Sequence, residues 1–232
     1  MKFVEKGFQM DSRVTTSAEW QEFVSQRAKK LADPVLADAL ARFQLVPGGA
    51  QSEVADAWVY TGDIEIEGDF IPSSGLTVID GDLTVTGRVS TRIDGGDGNV
   101  TLVVFGNLKC AQLENDWASI IFVTGDATAT EWVFAAREDS SMVVGGNFKT
   151  PIFIGADIWV SVGGSVEMDY GYGYAVALKW FADAYGAPQI EPTASWRELT
   201  LKLGLGRGRL NEEELMPLLE ERLYTTGNLM PV

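Results

Sequence analysis

Between Trp58 and Tyr174, short β-rich apolar runs alternate with tight steps made of glycine, a small polar residue and an apolar one. The steps are Gly62-Asp63-Ile64, Gly81-Asp82-Leu83, Gly106-Asn107-Leu108, Gly125-Asp126-Ala127, Gly146-Asn147-Phe148 and Gly164-Ser165-Val166. Their glycines lie 19, 25, 19, 21 and 18 residues apart. The runs before them are Trp58-Val59-Tyr60, Leu76 to Ile79, Val103-Val104-Phe105, Ile121-Phe122-Val123, Met142-Val143-Val144 and Trp159 to Val162. A unit this short cannot bury its own apolar face, so neighbours must stack. The pattern therefore predicts a mainly β fold, a single-stranded parallel β-solenoid of about six coils over residues 52–175. The hand expected for parallel crossovers is right. Each glycine is expected to supply φ > 0 at a corner, with the adjacent Asp or Asn closing the turn through its side chain. Equivalent glycines should lie over one another at the ~4.8 Å strand spacing.

The flanks change period. Residues 1–14 allow a short strand at Phe3-Val4 or Phe8 to Met10. Thr16-Ser17-Ala18-Glu19 reads as a capping box, and Trp20, Phe23, Val24, Arg27 and Leu31 recur at helical spacing. Asp33-Pro34 opens a second helix with Leu36, Leu40 and Phe43 on its apolar side, and Pro47-Gly48-Gly49 ends the pair. After the last coil, Ala177 to Tyr185 reads as a helix, Ser195-Trp196-Arg197-Glu198 opens another that Gly204 closes, and Asn211 with Glu214 opens a last one through about Leu223. The expected organisation is a helical cap over residues 1–51, the solenoid, and a second helical cap over residues 176–232. Helices at both ends would cover strand edges that otherwise invite end-to-end association, so a monomer or small homo-oligomer is expected. The strip Tyr170-Gly171-Tyr172-Gly173-Tyr174 is either an interface or a last coil packed under a helix.

Charge sharpens this picture. Residues 52–175 carry five Lys/Arg and nineteen Asp/Glu, a net of −14 out of −15 for the whole chain. Such a surface keeps a protein soluble and steers basic partners toward it, while disfavouring nucleic acid and anionic membranes. No run reaches 18 apolar residues, and the N-terminal stretch lacks the apolar core of a signal peptide. One cysteine, Cys110, fits a reducing cytoplasm and, lying in a predicted strand, reads as buried filler.

Chemistry finds little foothold. With no histidine, the commonest general base and zinc ligand is missing, and a single cysteine cannot build a thiolate cluster. A calcium site at Asp63, Asp82 and Asp126 would need a denser glycine-aspartate pattern. Gly204 to Arg209 follows a helix and lacks the Lys-Ser/Thr of a phosphate loop, so it reads as a connector. Neither an enzyme nor a cofactor is expected.

The Gly-Asp/Asn-apolar turns after Val/Ile/Phe strands resemble two groups: bacterial bactofilin-like, polymer-forming β-solenoids, and solenoid immunity proteins of polymorphic toxin systems. Bactofilins leave their solenoid ends bare, whereas helical segments flank this solenoid. The resemblance therefore implies a discrete binder that occludes a basic toxin or effector domain. End-to-end assembly is the alternative reading, and a carbohydrate-active enzyme a weaker one. Partner-binding residues are expected among the segments between turns: Glu114, Asp116, Trp117, Glu131, Trp132, Glu138, Asp139 and Asp157.

Overall fold

The computed structural model describes residues 2–3, 9–14, 17–34, 36–37, 40, 57–72, 75–92, 100–116, 118–172, 176–178, 196–205 and 212–231. Its strands stack in parallel into a solenoid whose coils each pass through three faces. Five turns separate Gly62 from Gly164. Face A stacks β3 (Ala57–Thr61), β5 (Leu76–Asp80), β8 (Thr101–Val104), β10 (Ile120–Val123), the end of β11 (Ala127–Val144), the end of β13 (Ile152–Val162) and β16 (Val176–Leu178). Face B stacks β4 (Ile64–Glu67), β6 (Leu83–Val85), the start of β9 (Leu108–Glu114), the start of β11, β12 (Phe148–Lys149) and β14 (Val166–Glu167). Face C stacks β7 (Arg88–Ser90), the end of β9, the middle of β11, the start of β13 and β15 (Tyr170–Tyr172).

Every second residue of a strand points inward, so in-register stacking lines up apolar columns inside. One column runs Ile64, Leu83, Leu108, Ala127, Phe148 and Val166. Another runs Ile79, Val104, Val123, Val144 and Val162, and a third Val89, Leu113, Val133 and Phe153. All but the half-buried Val166 are buried and form one core. Burying each such side chain contributes ~1.5–3 kcal/mol before conformational entropy is charged against it.

The corner glycines stack as the repeat requires, for a reason other than the expected one. Of the six, Gly62 alone has positive φ, at 93°. The others are constrained by the coil beneath. A Cβ on Gly125 would sit 2.7 Å from the Gly106 carbonyl oxygen, and one on Gly164 would sit 2.7 Å from that of Gly146. The polar residue of each step likewise reaches to the next coil instead of closing its own turn. Asp63 Oδ1 accepts the Asp82 N–H at 2.9 Å, Asp82 Oδ1 that of Asn107 at 2.7 Å, and Asn107 Oδ1 that of Asp126 at 2.9 Å. Asp126 Oδ1 accepts the Asn147 N–H at 2.7 Å, and Asn147 Oδ1 that of Ser165 at 3.0 Å. Asn107 and Asn147 also donate their amide hydrogens to the carboxylates of Asp82 and Asp126, at 3.2 and 3.1 Å.

Helical segments flank the solenoid in the chain as expected, and they pack along its outer faces. Helix α1 (Ser17–Ala28) lies against the outside of face A, with Leu36 and Leu40. There the outward column Val59, Val78, Val103, Phe122 and Val143 is apolar and buried. Arg27 ties the helix down, its guanidinium pairing with Asp80 and resting 3.9 Å from the Phe23 ring centroid. Asp33 caps the turn that follows, with Oδ1 accepting the Leu36 N–H at 3.3 Å. Helices α2 (Trp196–Lys202) and α3 (Glu212–Thr226) lie against the outside of face C, burying Trp132, Phe134, Ile152 and Ile154 with Leu199, Leu215 and Leu219. Tyr170 packs into this cluster, so that member of the tyrosine strip lies under helices. Gly204, at φ 68°, closes α2 as expected, and the Leu205 N–H donates to Thr200 O at 2.9 Å.

The first coil is covered by strands. β1 (Lys2–Phe3) pairs antiparallel with β4, and β2 (Gln9–Val14) pairs antiparallel with β3. At the other end, Val176–Leu178 is a further rung of face A and not the start of a helix; its backbone is used by β13. Residues 179–185 and the insertion at 94–99 lie outside the described residues.

Candidate binding surface

Face B differs from its neighbours on the outside. Its outward column reads Glu65, Thr84, Lys109, Thr128, Lys149 and Glu167. Glu65, Lys109, Lys149 and Glu167 are exposed, and the Lys149 ammonium pairs with Glu167 at 2.6 Å. The first coil concentrates the charge, because Asp63, Glu65, Glu67 and Asp69 are all exposed while Ile64 and Ile66 between them are buried. The corner ladder borders this face and adds Asp82 and Asp126. The result is a polar surface bordered by a hydrogen-bonded ladder, with its acidic groups densest on the first coil.

Of the eight residues expected to bind a partner, the described ones do not form one exposed patch. Trp132 is fully buried, with its indole N–H donating to Asn228 Oδ1 at 3.1 Å. It therefore anchors the C-terminal tail and presents no ring to solvent. Glu114 is 2% exposed, on the outward side of face C beneath the helices. Its carboxylate accepts from Ser90 Oγ at 2.7 Å and lies 3.5 Å from Arg88 Nη1 and 3.6 Å from Arg92 Nη1. Burial pushes its pKa above the usual carboxylate range, against the opposing pull of Ser90, Arg88 and Arg92. The same arginines reach α3: Arg88 Nη1 donates to Gly227 O at 3.4 Å, and Arg92 lies 5.1 Å from the Tyr224 ring centroid. Glu114 is thus part of the joint between solenoid and C-terminal helices.

Glu131 and Asp116 do reach the surface. Glu131 is exposed and accepts from Gln112 Nε2 at 2.7 Å. Asp116 is half-buried, with its N–H donating to Thr91 Oγ1 at 2.8 Å. Trp117 and the side chains of Glu138, Asp139 and Asp157 lie outside what is described.

The acidic ridge of the first coil was absent from that set, yet its signal is in the sequence. Asp63-Ile64-Glu65-Ile66-Glu67 alternates acid and isoleucine at period two, which writes a half-buried strand with carboxylates outward. Among the described residues no group of three or more His, Cys, Asp or Glu could hold a metal ion. Burial pushes the Cys110 thiol up to about 12, so it stays protonated. No helix among the described residues is long and apolar enough to cross a membrane. Comparisons with protein-family models, with curated proteins and with solved structures find no match.

Proposed function

We propose that this chain is a binding module that engages a basic protein partner through its acidic solenoid surface, in the manner of an inhibitor of a toxin or effector domain in the cytoplasm. One observation carries the reading. Two faces of the solenoid present apolar columns that its own helices cover, whereas face B presents a polar column with four exposed acids on the first coil. Exposed charges clustered on one coil act through their field on the encounter rate. The partner would bring clustered Lys/Arg, and a basic cleft pressed against this face would be shut to its own substrate.

The test is association kinetics against basic proteins encoded beside this chain, at rising salt. Steering is screened over ~10 Å at 0.1 M salt, so the on-rate should fall about tenfold or more from low to high ionic strength while the off-rate changes little. The double substitution Glu65→Lys and Glu67→Lys should remove most of that dependence. Binding indifferent to salt and to that substitution would overturn the reading.

A further inference from the structure

The geometry points to Ile71 as the apolar anchor of the acidic surface, fitted to a partner face on which Lys/Arg residues flank an apolar contact. The inference rests on the acidic-surface reading and deepens it, by naming the side chain that would hold the partner once charge has brought it in.

The first coil writes an outward line at period two. Asp63, Glu65, Glu67 and Asp69 are exposed along it, while Ile64, Ile66 and Phe70 point inward and are buried. Within that line Gly68, at φ 89°, turns the chain from face B toward face C. The next outward position is Ile71, and it is 53% exposed. An isoleucine that the core does not use thus follows four acids without a break.

The column to which Ile71 belongs shows that the C-terminal helices do not account for it. Phe70 stands opposite Val89, so the outward column of face C runs Ile71, Ser90, Glu114, Phe134, Ile154 and Tyr172. The helices bury Phe134 and Ile154. Ser90 and Glu114, hydrogen-bonded to each other at 2.7 Å, separate those two from Ile71. Single exposed apolar side chains are common on protein surfaces. What sets Ile71 apart is its place at the end of an acidic line, where two faces meet in a projecting corner.

Charge and apolar contact then divide the work. Exposed acids speed the encounter with a basic partner, and an apolar side chain buried on contact slows its departure. An anchor of this kind is strongest where a polar rim keeps water from it, and Glu67 and Asp69 stand four and two residues before Ile71. A partner face with Lys/Arg alone would be steered to the corner and soon lost.

The probes are two synthetic peptides, acetyl-Lys-Lys-Leu-Lys-Lys-amide and its analogue with glycine in place of leucine. Each is titrated into the full chain carrying ¹³C-labelled isoleucine methyl groups and followed by NMR. The leucine peptide should bind about fivefold more tightly than the glycine peptide, with the Ile71 methyl signal moving most. Ile71→Ala should abolish that preference and leave the salt dependence of both peptides intact. Leu218→Ala, a cut at an exposed leucine on α3, should change neither. Equal affinity of the two peptides, a preference that survives Ile71→Ala, or no binding of either peptide overturns the inference. So does an equal loss on Leu218→Ala, which would mark general stickiness. Equal affinities that still fall with salt and with Glu65→Lys and Glu67→Lys would leave the acidic surface standing without its anchor. A leucine preference lost in Ile71→Ala, with no response to salt, would keep the anchor and sink the acidic-surface reading.

Discussion

Faces A and B are built by the same coils, turn at the same corners and fill the same interior, yet among the described residues one is covered by a helix and the other is not. Face A's strands are apolar on both sides, as in Ile120-Ile121-Phe122-Val123, while face B's β4 alternates Ile64-Glu65-Ile66-Glu67. The inward set decides that the chain coils. The outward set decides what each face meets: α1 on face A, and on face B a polar column with exposed charges. Coiling and surface character are thus written on opposite sides of the same strands.

The sharpest way to break this contrast is to cut the outward column of face A. Phe122→Ala should cost ~3–5 kcal/mol, read as a fall in unfolding free energy, because its ring is fully buried beneath the N-terminal helix. Lys149→Ala, the matching cut on face B, should change stability by no more than about 0.5 kcal/mol, since its ion pair is exposed. Equal costs at the two sites would abolish the distinction between a packing face and a presenting face.

The corner between the two faces gives a smaller effect. Gly125→Ala forces a Cβ against the Gly106 backbone and should cost about 1–3 kcal/mol by thermal or denaturant melting, as the coils separate locally. Gly62→Ala meets no atom within 4 Å, but its φ of 93° strains an alanine there. The first substitution should therefore disturb coil spacing and the second should not, which amide exchange at Asp126 and Ala127 would report.

The smallest effect concerns face C, where a charge lies under a helix. Glu114 has a folded pKa raised above its ordinary 4.5, chiefly by burial, so the folded state holds its proton more tightly than the unfolded one does. Stability from this group is then fully present below the unfolded value and declines as pH rises through the folded one. Glu114→Gln should flatten that part of the stability-against-pH curve while leaving the rest unchanged. A curve of the same shape in both proteins would show that Arg88 and Arg92 offset the burial.

The repeat was legible because glycine and its polar neighbour are both forced by the coil beneath, and the forced positions recur. The helices are legible in the sequence, but the faces they cover are not, because a helix's apolar stripe says that it packs without saying against what. The signal for their place lies in the strands: unbroken apolar runs at 102–104 and Ile120–Val123 mean burial on both sides, whereas a capped end would leave the outside polar. Glu114 and Trp132 were misjudged in the same way, since charge and aromaticity looked like surface chemistry. Ser90 and Glu114 are 24 residues apart in sequence and adjacent across one coil step. Only the register brings Arg88 and Arg92 to that carboxylate.

The corner ladder also sets how the molecule ages. Its residues in order are Asp63, Asp82, Asn107, Asp126, Asn147 and Ser165, so carboxylates stand directly over one another only at the first step. Hydrolysis of the Asn107 side-chain amide would delete its donation to Asp82 and leave four carboxylates in succession, each at strand spacing from the next. A slow chemical change at one exposed atom group would thus convert an alternating column into a self-repelling one, and the loss would be felt along the solenoid axis. The two amides act as spacers between carboxylates along the ladder.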